Sequence, residues 1–363
     1  MELGIKAITS PGAYVQGPGA ISQLAKRCRA LGRSGAYLIV GNTARRNYGA
    51  QLTADFAAAG FPCTIAPFGG ECCDREIQLH LAALGGADVV AGIGGGKALD
   101  TAKAVADAAH ARMVVVPTIA STDAPCSHVA VLYHEDSTFD RYVNLRANPD
   151  LVLMDTEIIA QAPQRFLAAG MGDAMATWYE AAASSRAGAE TMAGGQASRS
   201  ALALAKLCRD TLLGEGEQAY ADVGQKRVTP ALEAVVEANT YLSGIGFESG
   251  GLAAAHAVHN GLTALSETHA MLHGEKVAFG VLTQLVLEGK PMREFRRIQS
   301  FFRAVKLPVT LAELGAERVT DAQLLCVAQL ACAADDTMGN LPCTVTPERV
   351  VAALRAADCM GRL

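Results

Sequence analysis

Three glycines and a lysine at residues 94–97 separate an apolar run at residues 88–93 from a helical pattern at residues 98–106. This order predicts a strand, a tight turn and a helix. Glycines let the backbone come within contact distance of a ligand phosphate. The start of the helix offers free N–H groups and the positive end of its dipole to the same anion. The segment therefore predicts a turn that binds a nucleotide.

The turn does not match the two common phosphate-binding motifs. A Walker A motif would need glycine at position 91 and serine or threonine at position 98, but the chain has Ala91 and Ala98. A Rossmann G-x-G-x-x-G motif that starts at Gly92 would need glycine where Lys97 stands. Two interpretations remain open: a non-standard glycine-rich nucleotide loop, or a tight strand–helix turn without a ligand.

The first half of the chain alternates buried strands with helices, which is typical of a parallel sheet covered on both faces. The predicted strands lie at residues 36–40, 63–66, 89–93, 113–117 and 151–155, and the predicted helices at residues 50–59, 74–84 and 98–110.

From about residue 163 the strand signals end. Long Ala/Leu-rich helical stretches replace them at residues 165–186, 198–213, 230–244, 250–265, 275–287 and 321–334. We therefore predict an α/β dinucleotide-binding domain over residues 1–162 and an all-helical metal-binding and substrate domain over residues 163–363. The active site is expected in the cleft between them.

Composition and charge exclude several classes of protein. The formal net charge is −5 and there is no basic block, so nucleic acid and anionic membranes are not expected partners. No apolar run reaches the roughly 18 residues that span a bilayer, and the N-terminus lacks the apolar region of a signal peptide. A cytoplasmic protein is expected. The 10 cysteines include no Cys-x-x-Cys pair, which argues against a zinc ribbon, and the role of the adjacent Cys72 and Cys73 stays open.

A polar loop follows the predicted strand at residues 113–117. Open α/β sheets bind ligands at the carboxyl ends of their strands, so Thr118 and Ser121 could bind a cofactor there. Asp123 could accept a hydrogen bond from a substrate hydroxyl, or it could cap a hydrated turn. Asp100 is expected in the first turn of the helix after the glycines, where a carboxylate interacts favourably with the helix dipole.

One carboxylate and two imidazoles, those of Asp173, His256 and His273, could together hold a metal ion. His256 and His259 are three residues apart on a predicted helix, which places them on one face. Spacing alone does not decide the matter, because the compact H-E-x-x-H motif is absent. Each of these side chains could instead be a helix cap or a packed core group.

Five segments together resemble a known family: residues 92–107, 116–125, 148–159, 229–265 and 273–280. They are similar to the glycerol dehydrogenases, which belong to the iron-containing, or group III metal-dependent, alcohol dehydrogenase superfamily. The similarity runs over essentially the whole chain. It implies a dehydroquinate synthase-like fold, in which an α/β domain is followed by a helical domain, and assembly into a homo-oligomer.

The resemblance also implies which residues form the site. The pyrophosphate and nicotinamide loop would consist of Gly94, Gly95, Gly96, Lys97 and Asp100. The cofactor cleft would be lined by Thr118, Ser121, Ser127, Val129 and Tyr133. The metal ligands would be Asp173, His256 and His273, and Asp123 would contact the polyol. The metal would be Zn²⁺, with Fe²⁺ as the alternative, because one carboxylate and two imidazoles suit both ions.

The implied reaction is the NAD-linked oxidation of glycerol to dihydroxyacetone by hydride transfer, with other vicinal diols as further substrates. A metal with three protein ligands keeps positions open for substrate and acts there as a Lewis acid. His259, one turn from His256, would relay a proton or only pack against its neighbours.

Two residues depart from the family pattern. Many glycerol dehydrogenases carry an aspartate after the first strand, where this chain has Asn42. The side chain at that position holds the adenosine ribose, so the loss of its charge leaves the preference for NAD over NADP open. Gly339 stands where a histidine is expected by analogy. A smaller pocket wall there leaves the identity of the substrate open.

Three other functions stay open. The first is an NAD(P)H-dependent reductase of 2-oxo acids or aldehydes in the same superfamily, although Asp123 would repel an acidic substrate. The second is a lyase similar to dehydroquinate synthase, which carries glutamate where this chain has Asp173. The third is a non-catalytic binding protein, which should have lost a metal ligand or the glycine loop.

Overall fold

The computed structural model describes residues 4–136 and 138–363. Within these residues the strands are β1 (Lys6–Ala7), β2 (Tyr14–Gly17), β3 (Ala36–Val40), β4 (Cys63–Pro67), β5 (Val89–Gly94), β6 (Arg112–Pro117), β7 (Val129–Tyr133), β8 (Phe139–Asn144), β9 (Leu151–Asp155), β10 (Glu190–Thr191) and β11 (Gly195–Ala197).

The α-helices of the described residues surround the sheet in the first half and form the second half. They are α1 (Leu24–Leu31), α2 (Asn42–Ala58), α3 (Asp74–Ala83), α4 (Gly96–Ala108), α5 (Thr156–Gln161), α6 (Gln164–Ala187), α7 (Arg199–Gly224), α8 (Pro230–Glu237), α9 (Ser243–Gly250), α10 (Ala254–Leu262), α11 (His273–Leu287), α12 (Met292–Ala304), α13 (Asp321–Ala331) and α14 (Pro347–Gly361). No helix in the part of the chain that the structure describes is long and apolar enough to cross a membrane.

Shorter helical segments connect these elements. Four are 3₁₀-helices, at Ala20–Gln23, Ala124–Cys126, Ser266–Thr268 and Thr337–Asn340, and one is a π-helix at Ala238–Leu242.

Six parallel strands form the main sheet, in the order β2-β9-β6-β5-β3-β4. Every residue of β3, β5 and β9 is buried, since helices cover both faces, and this agrees with continuous apolar runs rather than alternating ones. The predicted parallel α/β domain followed by a helical domain is confirmed. The order of the strands places the carboxyl ends of β3, β5 and β6 side by side.

The second half is not entirely helical, which corrects the prediction of an all-helical domain over residues 163–363. Strands β10 and β11 form an antiparallel pair there, and β1 from the start of the chain adds to β11 in parallel. Helix α6 ends at Ala187. The next residue, Gly188, adopts a left-handed conformation with φ of 69°, and this turn leads into the pair. The two predicted halves therefore share one small sheet.

Residues 129–144 contain a second feature that was not predicted. Strands β7 and β8 pair as an antiparallel hairpin that is separate from the main sheet. The predicted helix over residues 230–244 is also interrupted, because the π-helix at Ala238–Leu242 lies between α8 and α9. Single-turn π segments are frequent at functional sites, and this one lies beside the candidate site.

Helices α6 and α11 approach each other closely at a pair of glycines. A Cβ added to Gly172 would lie 2.3 Å from the Gly274 carbonyl oxygen, and one added to Gly274 would lie 1.8 Å from the Ala169 carbonyl oxygen. No side chain fits in either place, so glycine is required by packing. Each glycine is adjacent in sequence to a predicted metal ligand, Asp173 or His273. The close packing is therefore what brings those ligands together.

Candidate active site

Predicted cofactor residues come together along one edge of the sheet. The Gly41 N–H donates to the Ile93 carbonyl at 2.9 Å, and the Thr118 N–H donates to the Gly94 carbonyl at 2.9 Å. These bonds join the turns that follow β3, β5 and β6. Asn42 and the glycine loop at residues 94–97 consequently lie next to the loop that starts at Thr118, where open α/β sheets bind ligands.

The glycine loop leaves room for a ligand. Helix α4 begins at Gly96, which is exposed, and a Cβ added there would meet nothing within 4 Å. Gly96 does not have a positive φ, so its backbone conformation does not require glycine either. At Gly95 an added Cβ would make an ordinary contact of 3.4 Å with Ile119. Neither strain nor protein packing explains glycine at position 96, and the open space there would let a ligand phosphate approach the backbone.

Lys97 is half-exposed and already has partners. Its Nζ lies 2.5 Å from a Glu71 carboxylate oxygen and 4.8 Å from the centre of the Tyr133 ring. Burial, with the charge of Asp100 as a further cause, raises the pKa of Tyr133 to about 12. The Tyr133 hydroxyl is therefore neutral at physiological pH and can act as a hydrogen-bond donor.

Asp100 does not lie in the first turn of α4, which corrects that prediction, because the helix begins earlier than expected, at Gly96. Its carboxylate is buried, accepts a hydrogen bond from the Val131 N–H at 3.1 Å and lies 3.2 Å from Lys103 Nζ. Its observed role is to attach β7 to α4 rather than to complement the helix dipole.

The structure also places the remaining residues predicted to line the cofactor cleft. Ser127 is buried and its hydroxyl donates to the Ala124 carbonyl at 3.0 Å, while the Val129 carbonyl accepts from Lys103 Nζ at 2.5 Å. Ser121 is half-buried in the loop before the 3₁₀-helix. The Ser127 hydroxyl and the Val129 carbonyl therefore already have hydrogen-bond partners within the protein.

The three predicted metal ligands meet in the helical half. Asp173 comes from the middle of α6, His256 from the first turn of α10 and His273 from the first residue of α11. The Asp173 Oδ1 atom lies 3.3 Å from His256 Nε2 and 3.0 Å from His273 Nε2. Asp173 lies in a helix interior, so the alternative of a helix cap is wrong.

The donor set fits a divalent metal. One atom from each of Asp173, His256 and His273 can be chosen so that all three lie within 4.8 Å of one another. A tetrahedral ion at about 2.0–2.1 Å from its ligands would hold them roughly 3.3 Å apart, which is close to the two distances from Asp173. The His273 side chain is 37% exposed, so the group can be reached from outside.

Without a metal, the three ligands interact strongly with one another. Burial opposes ionisation of Asp173, but the charges and hydrogen bonds of His273 and His256 outweigh it and lower the pKa of the carboxyl well below its usual range. Burial also opposes protonation of His256, but Glu180 and Asp173 raise the pKa of its imidazole. A divalent cation would take the place of the proton in this negative environment.

Asp123 connects the cofactor side of the site to the metal side. Its backbone N–H donates to Asp173 Oδ2 at 3.3 Å, and its carboxylate accepts from the Ser243 hydroxyl at 2.6 Å. Burial and the charge of Asp173 raise the pKa of the Asp123 carboxyl well above its usual range, against the hydrogen bond from Ser243. Asp123 occupies the N-cap position of the 3₁₀-helix at Ala124–Cys126, but its side chain makes no capping hydrogen bond.

His259 lies behind His273. The His259 Nε2 atom is 3.0 Å from His273 Nδ1, and its Nδ1 atom is 3.0 Å from the Asn260 side-chain oxygen. The Asn260 amide donates in turn to Asp336 at 2.9 Å. Burial, followed by the charge of His273, lowers the pKa of the His259 imidazole well below its usual value. A neutral His259 can accept a hydrogen bond from His273 and thereby orient that ring.

Sequence reasoning missed two charged residues that organise the site. Glu180 is fully buried and bonds to His256, and Lys103 is fully buried between the loop at Ala124 and strand β7. A signal for Glu180 was available, because it follows Asp173 by seven residues and so lies two turns along the same face of α6. A lysine on a helix gave no comparable signal, since lysines are almost always exposed.

The structure places two residues whose roles the sequence left open, Gly339 and Cys72. Gly339 lines a cavity of about 720 Å³ together with Arg186, Asp336 and Cys343, and a Cβ added to it would meet nothing within 4 Å. Cys72 is fully buried, and burial raises the pKa of its thiol to about 12. A thiol with that pKa is a poor nucleophile, so Cys72 fits a packing role.

Comparisons with known proteins identify the family and the fold of the chain. Residues 11–156 match the family described as iron-containing alcohol dehydrogenase. A glycerol dehydrogenase of Escherichia coli O6:H1 is 52% identical over 361 residues, which cover 98% of each chain. One from Pseudomonas putida is 51% identical, again over 98% of each chain. A probable glycerol dehydrogenase of known structure, from Sinorhizobium meliloti 1021, superposes with a TM-score of 0.91 at 39% identity over 99% of each chain.

Proposed function

The chain belongs to the iron-containing alcohol dehydrogenase family, and we propose that it is an NAD-linked, metal-dependent glycerol dehydrogenase. The reaction is oxidation of glycerol to dihydroxyacetone, with other vicinal diols as further substrates. One observation carries the proposal: the backbone of Asp123, in the loop after β6, donates to the metal-ligand candidate Asp173. The cofactor edge of the sheet and the metal group therefore form one site.

The proposed cofactor and metal supply chemistry that protein side chains do not. Bound NAD would accept the hydride, and a divalent metal held by Asp173, His256 and His273 would supply a Lewis acid. The residues of the chain bind and orient. Asp123 accepts a hydrogen bond from a substrate hydroxyl, the exposed backbone at Gly96 approaches the cofactor phosphates, and Asn42 binds the adenosine ribose. His259 is proposed to relay a proton at its Nε2 atom or to orient His273 through it.

Charge favours a polyol over an acid as the substrate. Asp123 and Asp173 lie beside each other, and a carboxylate substrate would face both of them. A neutral diol instead offers hydroxyl donors to these groups. The alternative function, reduction of 2-oxo acids, is disfavoured for this reason.

Three finer proposals rest on the family resemblance and on composition. We propose that the metal is Zn²⁺ rather than Fe²⁺, that the protein assembles into a homo-oligomer, and that it is cytoplasmic. Elemental analysis of protein purified without added metal tests the first proposal, and sedimentation equilibrium tests the second.

A substrate panel on metal-defined protein tests the function. Purified protein is stripped with chelator, reloaded with Zn²⁺ or Fe²⁺, and assayed with glycerol, 1,2-propanediol and 2-oxoglutarate, each with NAD(H) and NADP(H). We expect the highest kcat/KM for glycerol with NAD. Activity that persists in fully stripped protein, or a higher kcat/KM for 2-oxoglutarate reduction, would overturn the proposal.

A further inference from the structure

Glu180 is a fully buried carboxylate that makes three hydrogen bonds at the start of α10, two of them with His256. Its Oε1 atom accepts hydrogen bonds from the backbone N–H groups of Ala253 and His256, each at 2.9 Å. Its Oε2 atom lies 2.6 Å from His256 Nδ1. A single side chain of α6 therefore contacts both the backbone and the ring of one residue at the start of α10.

The backbone contacts give α10 the cap that its own sequence lacks. The residue before the helix is Ala253, which has no side-chain oxygen, and the first N–H groups of a helix need acceptors. Glu180 accepts from two of these groups, and Gln284 accepts from the Ala255 N–H at 3.0 Å. The carboxylate also lies at the positive end of the helix dipole. The position of His256 is therefore set by Glu180.

The ring contact sets which nitrogen of His256 carries the proton. A carboxylate only accepts hydrogen bonds, so Nδ1 must be the donor and Nε2 of a neutral imidazole keeps its lone pair. Nε2 is the nitrogen that lies 3.3 Å from Asp173 Oδ1, within the group of metal-ligand candidates. Glu180 thus presents His256 in the tautomer that can bind a metal.

We propose that Glu180 is a positioning residue for the metal site and sets its metal affinity through His256. The inference rests on the proposed metal site. The salt-bridge partner of Glu180 among the described residues is His256. Its charge therefore adds to that of Asp173 beside the ion, and the two carboxylates balance one divalent cation. Hydrogen-bond partners of metal-binding histidines typically contribute 10–100-fold in metal affinity or activity.

Glu180→Gln tests the proposal because glutamine has nearly the same shape but one oxygen instead of two. If the amide oxygen keeps the two backbone bonds, the amide NH₂ group faces His256 Nδ1 and favours the tautomer with the proton on Nε2. If the amide is reversed, the NH₂ group faces two backbone donors. Either orientation opposes metal binding, so we expect the dissociation constant for Zn²⁺ to rise about 10–100-fold.

A matched control is available at Glu248. It is also fully buried, and its Oε1 atom accepts from the His128 N–H at 2.9 Å and pairs with the His128 ring. Neither Glu248 nor His128 is a predicted metal ligand. Glu248→Gln should therefore destabilise the fold to a similar degree, seen as a lower Tm, while the dissociation constant for Zn²⁺ stays within about threefold of wild type.

The experiment measures Zn²⁺ affinity by competition with a chromophoric chelator, and records the visible spectrum of the Co²⁺-loaded protein and Tm. If Glu180→Gln binds Zn²⁺ as tightly as wild type and its Co²⁺ spectrum is unchanged, the inference is overturned but the proposed function is not. Absence of any Zn²⁺ binding by wild type would instead overturn the proposed function. If Glu180→Gln does not fold, Glu180→Asp decides, because the shorter carboxylate cannot keep all three bonds: wild-type affinity there would also overturn the inference.

Discussion

The two sides of the candidate site consist of different chemical groups. Along the edge of the sheet, the site consists mainly of backbone: strand ends, the open turn at Gly96 and the start of α4. In the helical half, it consists of buried ionisable side chains on α6, α10 and α11, with further polar groups behind them. A backbone-built surface offers dipoles without fixed charge, whereas the helical half concentrates carboxylates and imidazoles that are buried or half-buried.

The difference predicts different responses to substitution. Removal of one charged group on the helical side leaves its neighbours buried and unpaired, which costs several kcal/mol, so effects there should be large. On the sheet side, a substitution changes the approach distance of a ligand while the backbone donors remain, so effects should be graded. The following substitutions test this contrast, from the largest expected effect to the smallest.

The largest effect is expected at the three proposed metal ligands. Asp173→Ala, His256→Ala or His273→Ala should abolish both metal binding and turnover, while circular dichroism stays near wild type. His269→Ala is the control, because His269 is exposed and bonds the Thr263 carbonyl, and it should retain metal and activity. Turnover by a ligand variant after dialysis against chelator would show that the metal site is misassigned.

Asp123→Ala should have the next largest effect. A divalent metal would offset the charge of Asp173, which raises the pKa of Asp123, so Asp123 is expected to be ionised in the loaded enzyme. Hydrogen bonds to charged groups contribute about 1.5–3 kcal/mol, so kcat/KM for glycerol should fall on the order of 10–150-fold while cofactor affinity changes little. Ser243→Ala removes the protein donor to Asp123 but keeps its charge, so it should lose less. An equal loss in both variants would mean that Asp123 acts only through Ser243, and a rise in glycerol activity for Asp123→Ala would refute its polyol role.

Gly96→Ala isolates the approach of the cofactor. The added Cβ meets no protein atom within 4 Å, so Tm should not fall, whereas the dissociation constant for NAD should rise about tenfold, equivalent to about 1.4 kcal/mol. Gly214→Ala in α7 is the matched control, since its Cβ also meets nothing within 4 Å. Fluorescence titration with NADH measures the cofactor affinity of both variants. Unchanged NADH affinity in Gly96→Ala would support a simple strand–helix turn.

Asn42→Asp should have the smallest effect on turnover with NAD and the most specific effect on the choice of cofactor. The added charge at the start of α2 repels a 2′-phosphate, so the ratio of kcat/KM for NAD over NADP should rise, on the order of tenfold. Asn47→Asp places the same charge at another exposed position of α2 and should leave the ratio unchanged. A wild-type preference for NADP would contradict this role, with Arg45 and Arg46 as the nearby cations to examine.

The contrast between the two sides also explains what could be predicted from sequence. Strands β3, β5, β6 and β9 were predicted because apolar runs bounded by glycine or proline are local signals. The hairpin of β7 and β8 was not predicted because its short strands have weak patterns. The pairing of β1 with β11 was not predicted because the two strands are distant in sequence. Helix α12 was not among the predicted helices, although its sequence carried a signal. Phe295, Ile298 and Phe302 recur at helical spacing and are buried.

The proposed metal ligands could be named only through the resemblance. Spacing alone left Asp173, His256 and His273 as possible caps or core groups, because the packing of α6 against α11 at two glycines is a three-dimensional fact. The same limit applies to the groups behind the ligands. The contacts of Glu180 and His259 follow from how three helices cross, which a single sequence does not specify.

The contacts of Lys103 have a consequence for how a bound cofactor and a bound polyol would influence each other. Its ammonium has three donors, and they are directed to Asp100, to the Ala124 carbonyl beside Asp123 and to the Val129 carbonyl of β7. A shift of helix α4 toward a bound phosphate would therefore strain or break the contacts that Lys103 makes with the loop next to Asp123. Thermodynamic coupling of this kind is reciprocal: whatever factor the cofactor adds to the affinity for the polyol, the polyol must add to the affinity for the cofactor.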